Sequence, residues 1–189
     1  MNLLLSVKNI LSVHPPLEQH CSGVARLTGK VVSCLNLANR NEIVFAAYMH
    51  DIGKSAWPRE LFFKYPLQPY DWSLIKAHPV AGENLLLELW PDAPQIIRSI
   101  VRGHHERPGG KGYPDGLVKP SLELLIVAAC DTYDAITRDK EYPTGEALPG
   151  RFALEQVARF APVRVVDALA KAAECLREPL NRPRPRVFR

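Results

Sequence analysis

Residues 121–137 read SLELLIVAACDTYDAIT: a serine of the kind that caps helices, then an almost wholly apolar run at helical periodicity. Asp131 stands inside that run, where an unpaired carboxylate costs on the order of several kcal/mol. A bound metal ion removes the cost, because a cation turns buried carboxylates and neutral imidazoles into ligands. The run therefore predicts a helix and gives a reason to look for further ligands elsewhere in the chain.

The same periodicity extends outward in both directions. Leu17, Cys21, Val24, Ala25, Val31, Val32 and Leu35 form one stripe, Ile43, Ala47 and His50 a second, and Ile75, His78, Gly82, Leu85 and Leu89 a third. Asn41 before EIVFAAYMH, Asp92 before APQIIRSIVRGHH and Ser121 are candidate helix starts. Leu154, Val157 and Ala158 suggest a short helix, and Val165, Val166, Leu169, Ala173 and Leu176 a closing one. Strand alternation is nearly absent. The expectation is an all-α bundle of about seven helices, with loops near 55–68 and 106–120 and a bend or break at Pro79.

At 189 residues and 47% hydrophobic, the chain is large enough for one well-buried core. Residues 177–189 hold five Arg and one Glu, which account for the whole formal charge of +4, so residues 1–176 are balanced. That division predicts a single domain over 1–176 and a solvated Arg/Pro tail over 177–189, with no binding face for a nucleic-acid polymer. The four cysteines have no metal-ribbon or CxxC spacing, there is no secretory signal, and no apolar run is long enough for a membrane span. A reducing cytoplasm is the expected location.

Five of the six histidines (His20, His50, His78, His104 and His105) lie on or at the end of apolar helical stripes. A lone histidine there is usually a hydrogen-bonded core residue; five, with Asp51 and Asp131 among them, point to ligation. Five imidazoles and two carboxylates exceed one tetrahedral zinc site. They suit two octahedral ions of iron or manganese bridged by a carboxylate, an arrangement used for phosphoester hydrolysis. Lys54, one turn after His50, is a candidate phosphate ligand or a surface lysine. Asp134 has two readings, an acid near the site and a helix-surface or capping carboxylate, and the second is favoured.

HDIGK (50–54), HP (78–79), HHE (104–106), GYP (112–114) and DTYDAIT (131–137), in this order and spacing, resemble the HD-GYP family of HD-domain metal-dependent phosphohydrolases. The likeness runs from about His20 to about residue 145. It implies an all-helical HD fold with a GYP loop and a cluster of two or three iron or manganese ions. It also implies hydrolysis of cyclic di-GMP to pGpG or, in some members, GMP. The family includes enzymes acting on cyclic GMP-AMP and members without turnover.

By the same resemblance, His20, His50, Asp51, His78, His104, His105 and Asp131 correspond to the metal ligands, with Asp51 the bridge, and Lys54 to the lysine that meets the scissile phosphate. The glycines at 109, 110 and 112 let the loop close near the metals. Tyr113 packs the loop, stacks on substrate, or contacts a GGDEF-type cyclase domain. Pro16 stands where tri-metal members carry a Glu, so two ions are expected over three. Lys140, Glu141, Tyr142 and Pro143 replace an R-P-Y-R or R-P-Y-K pattern that grips substrate phosphates. Only Lys140 keeps a basic charge there. The expected function is a cyclic-dinucleotide phosphodiesterase. The alternatives are a non-catalytic sensor or cyclase-docking module and an HD phosphohydrolase of another phosphoester.

Overall fold

The computed structural model describes residues 3–138 and 147–177, and among these every regular element is helical. In chain order they are α1 (Leu3–Leu11), α2 (Pro15–Cys34), α3 (Arg40–Met49), α4 (Pro69–Leu89), α5 (Gln95–Gly103), α6 (Leu122–Thr137), α7 (Gly150–Val157) and α8 (Val163–Arg177). Two 3-10 turns, Ile52–Ala56 and Arg59–Phe62, occupy the first expected loop. The tail beyond Arg177 and the Lys140–Pro143 motif lie outside the described residues. No described helix is long and apolar enough to cross a membrane.

The all-α expectation holds, with eight helices in place of about seven. The extra one is α1, whose Val7 and Leu11, four residues apart, are both fully buried. The Ser121 hydroxyl accepts the Leu124 amide at 3.2 Å, as a helix cap does, and α6 then runs through the core with every residue from Leu124 to Asp131 buried. Helices α2, α7 and α8 pack around it, and α3 and α5 close the other side of α2 and α4. Two helix starts differ from the reading: α3 begins after Asn39, and α5 after Pro94, not Asp92. Pro94 has no N–H of its own, and its carbonyl receives the Ile97 and Arg98 amides, which makes it the residue from which the helix can start.

Pro79 neither breaks nor ends α4, which continues for ten residues beyond it. The first 3-10 turn lies directly against α4, backbone on backbone. A Cβ on Gly53 would strike the His78 carbonyl and the Gly82 amide, so only glycine admits this approach. It draws the segment after His50 and Asp51 onto the helix carrying His78. Gly53→Ala is therefore expected to lower the unfolding free energy by about 1–3 kcal/mol; a thermal melt matching the parent chain would show that the approach is not tight.

Candidate metal centre

Three of the histidines are held by one local device. His50 follows the end of α3 and His104 the end of α5, where the last carbonyls of a helix have no amide from the next turn. Each imidazole fills that gap: His50 Nδ1 donates to the Ala47 carbonyl at 2.7 Å and His104 Nδ1 to the Val101 carbonyl at 2.9 Å. His78 lies inside α4, but Pro79 has no N–H to give Ile75, and His78 Nδ1 donates to the Ile75 carbonyl at 2.5 Å. The proline thus frees an acceptor mid-helix as a terminus does. A carbonyl only accepts, so all three protons sit on Nδ1 and the Nε2 lone pairs point inward.

They point at Asp51. Its Oδ1 lies 3.1 Å from His78 Nε2 and 3.6 Å from His104 Nε2; its Oδ2 lies 3.4 Å from His50 Nε2 and 3.7 Å from His20 Nε2. Two groups able to hold a metal ion share this carboxylate: Asp51 with His78, His104 and His105, and Asp51 with His20 and His50. Asp131 joins the second, its Oδ1 3.0 Å from His20 Nε2 and 3.7 Å from His50 Nε2. All seven residues read from the sequence as ligands converge here from α2, the ends of α3 and α5, the middle of α4, and α6.

The donor set suits a cation. His78 Nε2 and His104 Nε2 are 3.1 Å apart, and with both protons on Nδ1 this sets lone pair against lone pair, beside Asp51 Oδ1. His50 Nε2 and Asp51 Oδ1 are buried without a hydrogen-bond partner, at about 1–3 kcal/mol for each such atom. A proton is poorly placed to resolve the conflict at His104, because burial pushes that imidazolium down to about 4, and the same cause pushes His105 lower. Burial also lowers His50, but Asp51 and Asp131 outweigh it and raise the group to about 10. Burial pushes Asp51 up, yet Lys54 and His50 hold it well below the usual carboxylate range. Two ionised acids and converging imidazole lone pairs fit metal ions.

Lys54 is no free surface lysine: its Nζ lies 2.6 Å from Asp51 Oδ2 and the side chain is 21% exposed. Burial pushes its ammonium down, and Asp51 and Asp131 more than restore it. Asp134 is the acid near the site and not the favoured surface or capping carboxylate. It is 8% exposed and accepts His20 Nδ1 at 2.7 Å. Trp57, unread from the sequence, sets its indole edge-on to His78 with ring centroids 5.6 Å apart.

The loop after His105 is organised by Glu106, whose role was also unread. The side chain is fully buried. Its Oε1 accepts the Asp115 and Gly116 amides at 2.6 and 2.9 Å, and its Oε2 the Leu117 amide at 2.8 Å. Gly112 lies so close to the 105–107 backbone that a Cβ would meet the Arg107 amide nitrogen and the Glu106 Cα. The loop accordingly folds back on the histidines, and Tyr113 stacks on His105 with centroids 4.7 Å apart.

The family model described as "HD domain" matches residues 6–161. The chain belongs to the HD domain family. Two relatives extend the likeness. The "Cyclic di-GMP phosphodiesterase" of Thermotoga maritima is 31% identical over 79% of this chain and 42% of its own length. The "Cyclic di-GMP phosphodiesterase PA4108" of Pseudomonas aeruginosa is 33% identical over 76% of this chain and 36% of its own. This HD domain chain thus spans about two fifths of the length of the curated relatives it matches. The HD domain of the L. monocytogenes phosphodiesterase PgpH, solved with cyclic-di-AMP, superposes with a TM-score of 0.67 at 19% identity, covering 94% of this chain and 97% of that one. That likeness confirms the HD fold.

Because a cation relieves the lone-pair conflict, chelation is expected to lower the thermal midpoint by roughly 5–10 °C for each ion removed. A melt unchanged by a strong chelator, on protein shown to have carried metal, would contradict this.

Proposed function

We propose that the chain is a metal-dependent phosphodiesterase that hydrolyses a cyclic dinucleotide, with cyclic di-GMP the leading substrate and pGpG or GMP the product. The observation that carries this is Asp51, one carboxylate oxygen turned to each of two histidine groups. In this reading His20, His50, Asp131 and Asp51 would hold one iron or manganese ion. His78, His104, His105 and Asp51 would hold the other, and Pro16 would leave a third ion without a ligand. Bound there, such ions supply Lewis acidity and a nucleophile derived from water at neutral pH.

The chain's own residues do the rest. Asp51 uses one of the three ammonium donors of Lys54; the remaining donors serve the scissile phosphate and the charge that grows on it as the sugar 3′-oxygen leaves. Tyr113 and Lys140 are the further substrate contacts. The four cysteines are free thiols, in keeping with a cytoplasmic setting. The names of the relatives, cyclic di-GMP phosphodiesterases, support the substrate class. The motif KEYP at 140–143 favours one second reading: a metal-containing sensor of cyclic dinucleotides, or a module that docks on a GGDEF-type cyclase.

Protein loaded anaerobically with iron or manganese, then incubated with cyclic di-GMP, cyclic GMP-AMP and a generic phosphodiester, tests the proposal by chromatography of the products. Linear dinucleotide or mononucleotide from a cyclic dinucleotide supports it. Binding without turnover moves the sensor ahead, and turnover of the generic ester alone points to another phosphoester. In the active case Lys54→Ala should keep its metal and slow hydrolysis by about 10- to 1000-fold; unchanged turnover would remove Lys54 from the machinery. Restoring R-P-Y-R at 140–143 should lower KM for cyclic di-GMP by roughly tenfold, less at high salt, because arginine offers bidentate phosphate contacts that proline lacks. An unchanged KM would mean that the ligand does not reach this motif.

A further inference from the structure

We propose that Asp134 is a positioning residue of the metal centre: its carboxylate fixes His20 with the proton on Nδ1, and so sets the affinity for the ion that His20 would hold. The inference rests on the metal-binding part of the proposed function.

His20 cannot use the device that holds the other histidines. It lies inside α2 and the next residue, Cys21, has an N–H, so the Leu17 carbonyl is engaged by the helix itself. No main-chain acceptor is free for Nδ1, and the acceptor comes from another helix. On α6, Asp131 and Asp134 stand one turn apart on the same face. Asp131 Oδ1 lies 3.0 Å from His20 Nε2 and Asp134 Oδ2 lies 2.7 Å from Nδ1, so the ring is clamped by a carboxylate at each nitrogen. Among His20, His50, His78 and His104, only His20 has a charged partner at Nδ1. A carboxylate there makes the imidazole a stronger donor at Nε2, and losing such a partner commonly costs about 10- to 100-fold in metal affinity.

Arg138 pairs with Asp134 and bridges it to α2. Its Nε and one terminal nitrogen donate to the two oxygens of Asp134 at 2.8 and 2.9 Å, and the same terminal nitrogen donates to the Gln19 carbonyl at 2.9 Å. Gly23 of α2 leaves the space: a Cβ there would collide with the Arg138 guanidinium and the Asp134 carboxylate. The pair therefore also ties α6 to α2, and the test must separate that tie from the hydrogen bond to His20.

Equilibrium titration of Mn²⁺ against a chromophoric chelator does so, on the parent chain and on Asp134→Ala, Asp134→Asn and Arg138→Met, with melts of each metal-free protein. Two ions on the parent chain test the metal centre itself; a parent that binds no Mn²⁺ overturns that reading and this one with it. Given two ions, Asp134→Ala should weaken one by about 10- to 100-fold and leave the other within twofold. Asp134→Asn, whose amide oxygen can still accept the Nδ1 proton, should recover part of the loss. Arg138→Met removes the tie to Gln19 but keeps the carboxylate, and should hold both ions within threefold. Parent-like affinity in Asp134→Ala overturns the inference. So does a loss in Arg138→Met as large as in Asp134→Ala, because the effect would then lie in helix pinning. Should Asp134→Ala fail to fold, Asp134→Asn decides by the same comparison with Arg138→Met: a one-ion loss larger than that of Arg138→Met supports the inference, and an equal one overturns it.

Discussion

The centre depends on where four protons are held. Each of His50, His78 and His104 gives its Nδ1 proton to a carbonyl outside the cluster, and in the inference above His20 gives its own to Asp134, so that four Nε2 atoms face inward toward two ionised carboxylates. Had any of these rings taken the other tautomer, an N–H would occupy the space meant for a cation. The fold supplies the acceptors in three ways: helix termini after Ala47 and Val101, a proline that vacates the Ile75 carbonyl, and a carboxylate on α6. These are backbone arrangements before they are side-chain ones, which is why HD, HH and HP fall at two helix ends and before a proline.

The apolar periodicity and the buried Asp131 made the helical class and the seven converging residues legible from the chain alone. What stayed hidden depended on distance along the chain or on a backbone consequence. Asp134 and His20 are separated by 114 residues, and nothing local distinguishes an acid one turn after Asp131 from a solvated one until the rotation of α6 against α2 is known. Pro79 looked like a helix breaker because its missing N–H was counted as a loss alone. Its neighbour His78 uses that loss. Glu106 sits in plain view beside the two histidines, but its partners are amides nine to eleven residues later, and no spacing rule marks them.

Glu106 also shows how the loop and the cluster are joined. A buried carboxylate is costly unless hydrogen bonds to its charged form replace the lost water. Three amides from Asp115 to Leu117 do this, and they fix the far end of the loop to the residue after His105. The near end is fixed by the close approach at Gly112, and on the outside the Arg102 guanidinium grips Asp115 through two 2.7 Å bonds. The loop is therefore a rigid wall beside His105, and the Tyr113 ring is part of that wall.

Charge separates the chemical part of the site from the part that would hold a substrate. Asp134 and Arg138 neutralise each other, and the Glu106 carboxylate keeps its charge but turns it to the amides of the loop. What remains is Asp51 and Asp131 against Lys54. Two divalent ions would outweigh the two carboxylates, and Lys54 adds to the excess, leaving a centre that is cationic overall and suited to the phosphodiester anion proposed above. Such a field draws any phosphate and discriminates little among them. Choice among cyclic dinucleotides must come from contacts other than this field. In the proposed reaction the seven converging residues and Lys54 would set whether a phosphoester can be attacked, and selection among phosphoesters would fall to residues beyond them.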